Sequence, residues 1–218
     1  MGLQTIIDNA SFITINKRKG VGQTVSRSGH VKTALQQQSI YRFTVSVSDG
    51  LKYSENRGLL EDLDTADVVT EANVDIGSTN TGLSYLTAYQ GDANTTQLSA
   101  LALNSTSGST LYVDTTGATG HSGTLFKKGD YIQPEGNTST YRYPYQVTSD
   151  VAFTSGNLAV NVHRPILSQD GVALTSGGFR IGNDCRFHIK AMQMPIYSVI
   201  PYDLISFDGN FELMEVIT

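Results

Sequence analysis

Alternating apolar and polar residues predict β-strands in several parts of the chain. The clearest is residues 39–48, SIYRFTVSVS, where every second residue from Tyr41 to Val47 is apolar. Residues 11–16, SFITIN, alternate in the same way, and CRFHIKAMQM and FDGNFELMEVI predict two strands near the C-terminus. We expect strands 39–48 and 184–192 to belong to one framework.

One segment breaks the β pattern and predicts a helix over residues 54–66. Ser54 is a capping residue type, Glu55 follows in the first turn, and apolar residues recur at helical spacing after them. We expect this helix to be the only substantial one. Beyond it, residues 67–83 predict a strand followed by a connection, and the segment YLTAYQGD predicts another strand.

Residues 95–175 contain short strand-like runs separated by Gly, Asn, Asp or Pro, a pattern typical of a small barrel or sandwich. The runs are QLSALAL, STLYVD, DYIQP, YPYQVTSDV, NLAVNVHRPI and GVAL. The predicted fold class is therefore mainly β with one helix, an antiparallel framework carrying an inserted small β-barrel or sandwich module. We place the framework in residues 1–91 plus 181–218 and the inserted module in residues 92–180.

A polar segment, residues 17–38, separates the first two predicted strands. It carries five Lys or Arg, three glycines and no acid. The segment is too long for a tight hairpin and too polar to bury, so it predicts a hairpin arm that is mobile in the free protein and ordered by a neighbouring subunit. We call residues 17–38 the basic arm, and the predicted subunit contacts are its cations, Lys17, Arg18, Lys19, Arg27 and Lys32.

Charge is distributed unevenly along the chain. The formal net charge is −5, so no overall positive field attracts nucleic acid. Residues 1–60 nevertheless carry eight Lys or Arg against three acids, whereas residues 61–80 carry six acids and no base. This segregation fits two hypotheses: separate solvated faces, or complementary patches between copies of an oligomer.

Targeting and redox signals are absent from the sequence. The single cysteine, Cys185, lies in an apolar alternation that predicts a buried thiol rather than a disulfide or zinc ligand. The N-terminus fits neither a signal peptide nor the myristoylation pattern, and no apolar run approaches the about 18 residues of a membrane helix. We therefore expect synthesis in the cytoplasm and no membrane partner.

The stretch HSGTLFKKGDYIQPEGNTSTYRYPYQVTSDV, residues 121–151, suggests three kinds of binding site. A phosphate-binding loop needs G-x-x-x-x-G-K-[ST], and no glycine here begins that spacing. A sugar-binding patch lacks Trp, of which the chain has none. A nucleic-acid surface would stack bases on tyrosines, but the alternation around Tyr143 and Tyr145 favours a packed aromatic face. The residues of that third hypothesis are Tyr131, Tyr141, Tyr143, Tyr145, Lys127, Lys128 and Arg142.

Catalytic patterns do not emerge from the spacing of reactive residues. The four histidines, His30, His121, His163 and His188, lack the spacing of a metal pair, and GHSG is not a nucleophile elbow. His188 alternates with apolar residues in a predicted strand, which favours a structural role. The carboxylates beside glycines or in turns fit turn chemistry; they are Asp130, Asp150, Asp170 and Asp208. We expect no enzyme activity, catalytic residue, metal or cofactor.

The ordered motifs of the chain resemble a known group of proteins. These are TINKRKGVGQTVSRSGHVKTA, YRFTVSVSDGLKYSENRGLLEDLD, SYLTAYQGD, LFKKGDYIQPEG, YPYQVTSDV, VHRPI and FDGNFELMEV. Together they cover most of the chain and resemble tail-tube or baseplate structural proteins of contractile-tailed bacteriophages. Specificity lies in the combination, since no single motif is a catalytic signature.

This resemblance implies a tail-tube-like framework that assembles into rings, expected to be hexameric, whose sheets form or extend the tail channel. It implies location in the virion tail, contacts with other tail or baseplate proteins, and DNA only as passing channel contents. The motif KKGDYIQPEG would then be a β-turn-β element of the outer module. The alternative function is a β-rich carbohydrate-binding or adhesin module of a virion.

Overall fold

The protein is mainly β, with several small antiparallel sheets and three short α-helices. The computed structural model describes residues 3–17, 21–25, 31–35, 39–48, 50–64, 71–77, 82–135, 143–168 and 177–217. For residues 21–25, 31–35, 59 and 62–64 it describes the backbone alone. The mainly β fold class predicted from the sequence is thus confirmed.

The secondary-structure elements are numbered in chain order. The helices are α1 (Leu3–Asp8), α2 (Tyr53–Asp64) and α3 (Thr95–Ser99). The strands of the first half are β1 (Ala10–Asn16), β2 (Val21–Val25), β3 (Val31–Leu35), β4 (Arg42–Val47), β5 (Leu51–Lys52), β6 (Glu71–Asp75), β7 (Ala102–Ser107) and β8 (Thr110–Asp114). Those of the second half are β9 (Thr124–Phe126), β10 (Tyr131–Pro134), β11 (Tyr145–Gln146), β12 (Val151–Ala152), β13 (Asn157–Asn161), β14 (Phe179–Ile181), β15 (Arg186–Gln193), β16 (Ile196–Ile200), β17 (Leu204–Asp208) and β18 (Phe211–Glu215).

The largest sheet has five antiparallel strands in the order β1-β4-β18-β15-β6. β4 and β15 both belong to it, on either side of β18, so the expected framework of strands 39–48 and 184–192 is confirmed. The predicted alternation also holds, because Phe43 and Val45 are buried while Arg42 is exposed. The pattern succeeds here because one face of the sheet packs on the core and the other faces solvent.

Helix α1 covers part of the buried face of this sheet. Leu3, Ile6 and Ile7 are fully buried in the same core as Phe43 and Phe187. The rings of Phe187 and Phe43 meet edge to face, with centroids 5.1 Å apart. Helix α1 was not predicted, because six residues are too few to show a clear helical period. Helix α2, with 12 residues, is the only substantial helix among the described residues, as expected.

A second group of buried residues lies among smaller sheets ordered β11-β10-β14, β12-β9 and β13-β8-β7. None of the sheets in the described part of the chain closes into a barrel, so the barrel form of the predicted module is wrong. Strands of two to six residues in separate two- and three-stranded sheets leave open edges rather than one continuous circuit of pairing. How far residues 92–180 form a unit of their own stays a prediction.

Two of the predicted strands are helical turns instead. The run QLSALAL begins in α3, where Asn94 accepts a hydrogen bond from the Gln97 backbone N–H (2.9 Å) and the Gln97 side chain accepts one from the Asn94 N–H (3.0 Å). This capping box starts a helix, and the strand β7 follows it. The segment YLTAYQGD contains a 3-10 helix, Ser84–Leu86, and no strand.

The C-terminal region contains one more strand than expected. The run FDGNFELMEVI was predicted as a single strand, but the chain turns at Gly209, whose φ of 107° is in the region that favours glycine. On one side of this turn β17 pairs with β16 and β5, and on the other β18 pairs with β15 and β4. The chain therefore passes from one sheet to another at Gly209. The segment PIYSVIPYDLIS, expected to be extended, supplies β16 and most of β17.

The basic arm contains a hairpin, as predicted. β2 and β3 pair antiparallel over five residue pairs, from Val21 opposite Leu35 to Val25 opposite Val31. They form a two-stranded sheet of their own among the described strands. Residues 18–20, 26–30 and 36–38 lie outside the described residues.

A fully buried ion pair joins the five-stranded sheet to the segment between β11 and β14. The Arg164 guanidinium donates to both carboxylate oxygens of Glu215, with N–O distances of 2.6 and 2.7 Å. It also donates to the backbone oxygens of Ser39 (3.0 Å) and Pro144 (3.1 Å). Neither side chain of the pair is accessible to solvent. A bidentate geometry with further hydrogen bonds is what a buried ion pair needs to offset desolvation.

Two tyrosine rings enclose this guanidinium. Its carbon lies 5.3 Å from the ring centre of Tyr41 and 5.2 Å from that of Tyr145. Burial alone would lower the pKa of Arg164, but the hydrogen bonds and charge of Glu215 outweigh burial and raise it. Burial raises the pKa of Tyr145 to about 12. Burial also raises the pKa of Tyr41, so both rings that enclose the guanidinium are neutral phenols.

A buried side-chain amide makes a second connection, between β10 and the five-stranded sheet. Gln133 in β10 donates from Nε2 to the backbone oxygen of Arg186 (2.7 Å) and accepts from the Arg186 N–H (2.8 Å). Its side chain thus bonds to β15 in the way that a neighbouring strand would. Nearby, Cys185 is fully buried, as predicted, and burial raises the pKa of its thiol well above the usual value.

We predict that Arg164→Met lowers the free energy of unfolding by about 3–5 kcal/mol, because it leaves the Glu215 carboxylate buried without its cation. The double variant Arg164→Met/Glu215→Leu should recover part of that loss, since both charges are then gone. Urea denaturation at neutral pH measures both. The control is Lys52→Met, which removes an exposed ion pair with Glu55 and should leave the midpoint unchanged. An equal loss of unfolding free energy in the single and double variants would show that the unpaired Glu215 charge is not the cause.

Candidate assembly surfaces

An exposed β-hairpin near the C-terminus presents apolar side chains to solvent. We call residues 196–208 the apolar hairpin. β16 pairs with β17, which pairs on its other side with β5, so β16 is an edge strand among the described residues. Ile196 is 77% exposed, Tyr202 is 94% exposed, and Val199 and Ile200 are exposed as well. An exposed apolar edge strand is a template for pairing with another chain.

The two faces of β16 differ. On one face Tyr197 packs on Phe207, and Phe207 meets the core residue Phe211 with ring centroids 5.3 Å apart. On the other face Ile196 and Ile200 point away from this stack. The hairpin is thus attached to the body by one face and leaves the other face and its outer edge available for contact.

The turn of the apolar hairpin is fixed to helix α2. Tyr202 and Asp203 have φ values of 71° and 64°, a left-handed conformation that is unfavourable for a bulky residue. The Asp203 carboxylate accepts hydrogen bonds from the Ser54 N–H (2.9 Å) and the Ser54 hydroxyl, and the Asp203 backbone oxygen accepts from the Tyr53 N–H (2.9 Å). These contacts hold the turn, so the exposed Tyr202 ring is presented from an anchored backbone.

The same contacts correct the expected helix cap. Ser54 was predicted to cap the helix, but it lies inside the first turn, and the carboxylate of Asp203 accepts the N–H that a cap would satisfy. The helix itself is confirmed over Tyr53–Asp64, with Leu60 fully buried, and residues 65 and 66 lie outside the described residues. The capping partner comes from 149 residues away, which no local pattern reveals.

The solvent face of the five-stranded sheet carries polar and charged side chains together with the exposed ring of Phe12. The Thr44 hydroxyl donates to the Glu212 carboxylate at 2.9 Å. Glu71 lies 3.5 Å from the Lys190 ammonium and 3.4 Å from His188 Nε2. Polar and oppositely charged side chains therefore meet on this face.

The predicted contact residues of the basic arm are only partly described. Lys17 is exposed, and partial burial together with the charge of Lys128 lowers its pKa. Lys32 lies in β3 opposite Thr24, with the position of its side chain outside the described part. Arg18, Lys19 and Arg27 also lie outside it. The role of these five cations stays a prediction.

The tyrosine-rich stretch is a packed aromatic region, as the alternation indicated. Tyr131, Tyr143 and Tyr145 are buried, while Lys127 and Lys128 are exposed on a turn. The residues Tyr141 and Arg142 lie outside the described residues. Since the described rings face the interior, they do not form a stacking surface for bases.

The carboxylates of this stretch organise turns, as predicted. Asp130 is buried and accepts from the Lys127 and Gln90 N–H groups, both at 2.8 Å, and burial raises its pKa. Asp150 accepts from the Lys128 N–H at 2.8 Å. Each carboxylate thus satisfies backbone donors, a structural use that explains its place in the sequence.

The described histidines are dispersed in the fold. His121 packs edge to face on Phe153, and His163 Nδ1 accepts a hydrogen bond from the Gln146 N–H (3.0 Å). His188 is buried in β15, and His30 lies outside the described residues. In the part of the chain that the structure describes, no three His, Cys, Asp or Glu side chains are grouped to hold a metal ion. No helix in that part is long and apolar enough to span a membrane.

Comparisons with known proteins do not assign the chain to a family: no protein-family model and no curated protein matches it. The candidate surfaces are therefore argued from their geometry and chemistry. Of these, the apolar hairpin was missed by the sequence analysis. Its signal is the spacing of two apolar runs around Pro-Tyr-Asp, residues 201–203, a turn-forming composition.

We predict that Asp203→Ala lowers the melting temperature at neutral pH and that this difference becomes smaller as the pH falls. Hydrogen bonds from Ser54 lower the pKa of Asp203 below its usual 3.8. A carboxylate with a lowered pKa stabilises the fold above its unfolded-state pKa and loses that contribution as pH falls through the folded-state value. Thermal scans of wild type and variant from about pH 7 to about pH 2.5 test this. Asp208→Ala, exposed on the same hairpin, is the control. A melting difference independent of pH would contradict the role of Asp203.

Proposed function

We propose that this chain is a non-enzymatic structural subunit of a contractile phage tail, in the tube or the baseplate. It assembles with copies of itself into rings that form or extend the tail channel, and the assembled ring binds other tail proteins. DNA passes through the channel without being held at a specific site.

The observation that carries this proposal is the apolar hairpin. A free edge strand with Ile196 and Val199 exposed, and an anchored turn that presents Tyr202, is costly for a protein that stays monomeric. Natural proteins usually protect such edges with charges, Pro or a bulge, and β16 carries no charged residue. Covering the hairpin with a neighbouring subunit removes this exposure.

Two further observations support assembly into a channel-forming ring. The solvent face of the five-stranded sheet carries polar and oppositely charged side chains beside the single ring of Phe12, and such polar groups suit a water-filled channel. The basic arm has a hairpin separate from the other described sheets and reaches a neighbour in this proposal. The resemblance of the ordered sequence motifs to tail-tube and baseplate proteins gives the proposal its particular setting.

We predict that Ile196→Lys/Val199→Lys abolishes ring assembly while the monomer stays folded. Two ammonium groups on the edge strand would have to be desolvated at a subunit contact. Analytical ultracentrifugation and negative-stain microscopy measure the loss, and circular dichroism confirms the fold. The matched control is Ala102→Lys/Asn104→Lys, which places two lysines at exposed positions of another edge strand, β7. If rings form normally with lysines in β16, the apolar hairpin is not the subunit contact.

We predict a second, salt-sensitive contribution from the basic arm. The triple variant Lys17/Arg18/Lys19→Glu should weaken assembly and deletion of residues 19–36 should abolish it, and each should leave the body folded. Raising salt to about 1 M, where the Debye length is about 3 Å, should weaken assembly of the wild type in the same direction. Sedimentation of all three proteins at low and high salt measures this. Rings that persist after the deletion would contradict the role of the arm.

The proposal as a whole is also open to refutation. A protein that stays monomeric at every concentration and salt, and in the presence of its tail partners, is not a ring subunit. Hydrolysis of a glycan or peptide by the purified chain would equally overturn the non-enzymatic assignment.

A further inference from the structure

A cleft of about 430 Å³ opens between helix α3 and the β14 segment. Its volume is within the range of small-ligand sites. The floor is apolar and partly aromatic, and the rim carries short polar side chains. Floor residues include Leu98, Phe179 and Ile181, and rim residues include Asn94, Asn183 and Asp184.

Tyr89 forms one wall of the cleft and is fixed in place. Its hydroxyl donates to the Leu125 backbone oxygen and accepts from the Ala93 N–H (3.2 Å). Its ring meets Phe126 at 86° with centroids 6.3 Å apart. Burial raises the pKa of Tyr89 to about 12, so the phenol stays neutral. The wall is therefore a rigid, uncharged, half-buried ring.

The amide of Asn183 is also held before any ligand arrives. The Thr87 hydroxyl donates to Asn183 Oδ1 at 2.7 Å, which orients the amide. Gly182 precedes it with a φ of 62°, and a Cβ there would lie 2.8 Å from the Tyr89 backbone nitrogen. Only glycine allows this close approach, which places Asn183 beside the Tyr89 wall.

Asn94 on the opposite rim is likewise fixed, because its Oδ1 accepts the capping hydrogen bond from the Gln97 N–H. Both amides thus use their oxygen within the fold, and their N–H groups are the part suited to a ligand. Asp184, exposed at the end of the rim, supplies a carboxylate acceptor. Among the described residues that line the cleft, it is the only charged one.

From this arrangement we propose that the cleft is a binding site for a neutral saccharide. Sugars present C–H faces, which pack on apolar and aromatic surfaces, and hydroxyl groups, which both donate and accept hydrogen bonds. The apolar floor can pack on the C–H faces of a sugar. The amide donors and the Asp184 acceptor can form hydrogen bonds with its hydroxyl groups. The described lining of the cleft holds no cation that would pair with an anionic ligand. Because the wall and both amides are already fixed, little ordering cost opposes weak binding.

This inference does not depend on the proposed assembly role, because the cleft and the apolar hairpin share no residue. The two proposals can therefore fail separately. An assembly-deficient Ile196→Lys/Val199→Lys monomer should still bind the saccharide.

The test is titration of the isotopically labelled protein with neutral oligosaccharides, followed by amide chemical shifts. The probes are tetrasaccharides of glucose, galactose, mannose and N-acetylglucosamine, each taken to about 10 mM to detect a Kd of about 1 mM. We expect at least one to shift the amides of Ala93, Ile181 and Asn183. Asp184→Ala and Asn183→Ala should each weaken binding about tenfold.

The controls separate binding from folding. Asp208→Ala removes an exposed carboxylate outside the cleft and should leave the affinity unchanged. Asn183→Ala also loses the hydrogen bond from Thr87, so thermal unfolding checks that this variant remains folded. Asp184→Ala changes an exposed position and therefore tests binding independently of folding. The proposal is overturned if no probe shifts the cleft amides, if a uronic-acid oligosaccharide binds better than the neutral ones, or if neither cleft variant weakens binding.

Discussion

The fold depends most on one buried ion pair. Glu215 stands at the end of the central strand β18, and Arg164 comes from the segment that follows β13. Both charges lie where no water reaches them, so each needs the other, and the geometry that satisfies them also fixes the backbone at Ser39 and Pro144. Apolar packing alone tolerates small shifts between the two groups of buried residues. A bidentate pair with both carboxylate oxygens occupied tolerates few, so it specifies how the groups meet.

Local patterns predicted those parts of the fold that depend on local chemistry. The strand at 39–48 and the strand at 184–192 alternate because one sheet face is buried, and α2 carries its own apolar positions. The short helices were not predicted. Helix α1 has only six residues, and α3 begins at a capping box, Asn94 with Gln97, that lies directly before a run resembling a strand. Closure of the sheets could not be predicted, because it depends on which strands pair at a distance, and pairing is set by tertiary contacts such as that of Gln133 with Arg186.

The candidate surfaces show the same contrast between features that local sequence predicts and features that depend on distant contacts. Burial of Tyr131, Tyr143 and Tyr145 followed from alternation, which reports which face is covered. Exposure of Ile196 and Tyr202 did not, because composition alone cannot distinguish an apolar strand inside a core from one at an open edge. The turn that presents Tyr202 is set by Asp203 and Ser54, residues far apart in sequence. The cleft was equally hidden, since Tyr89, Asn94 and Asn183 meet only in three dimensions.

The environment of Cys185 has a practical consequence for studying this protein. It is the only thiol in the chain, it is fully buried, and burial raises its pKa well above the usual value for a thiol. Since the thiolate is the reactive form, the native protein is nearly inert to maleimides and to oxidative cross-linking. A cysteine introduced in place of Tyr202 would then be the one reactive position. Fluorophores or spin labels could be attached at the tip of the apolar hairpin without first removing a native residue.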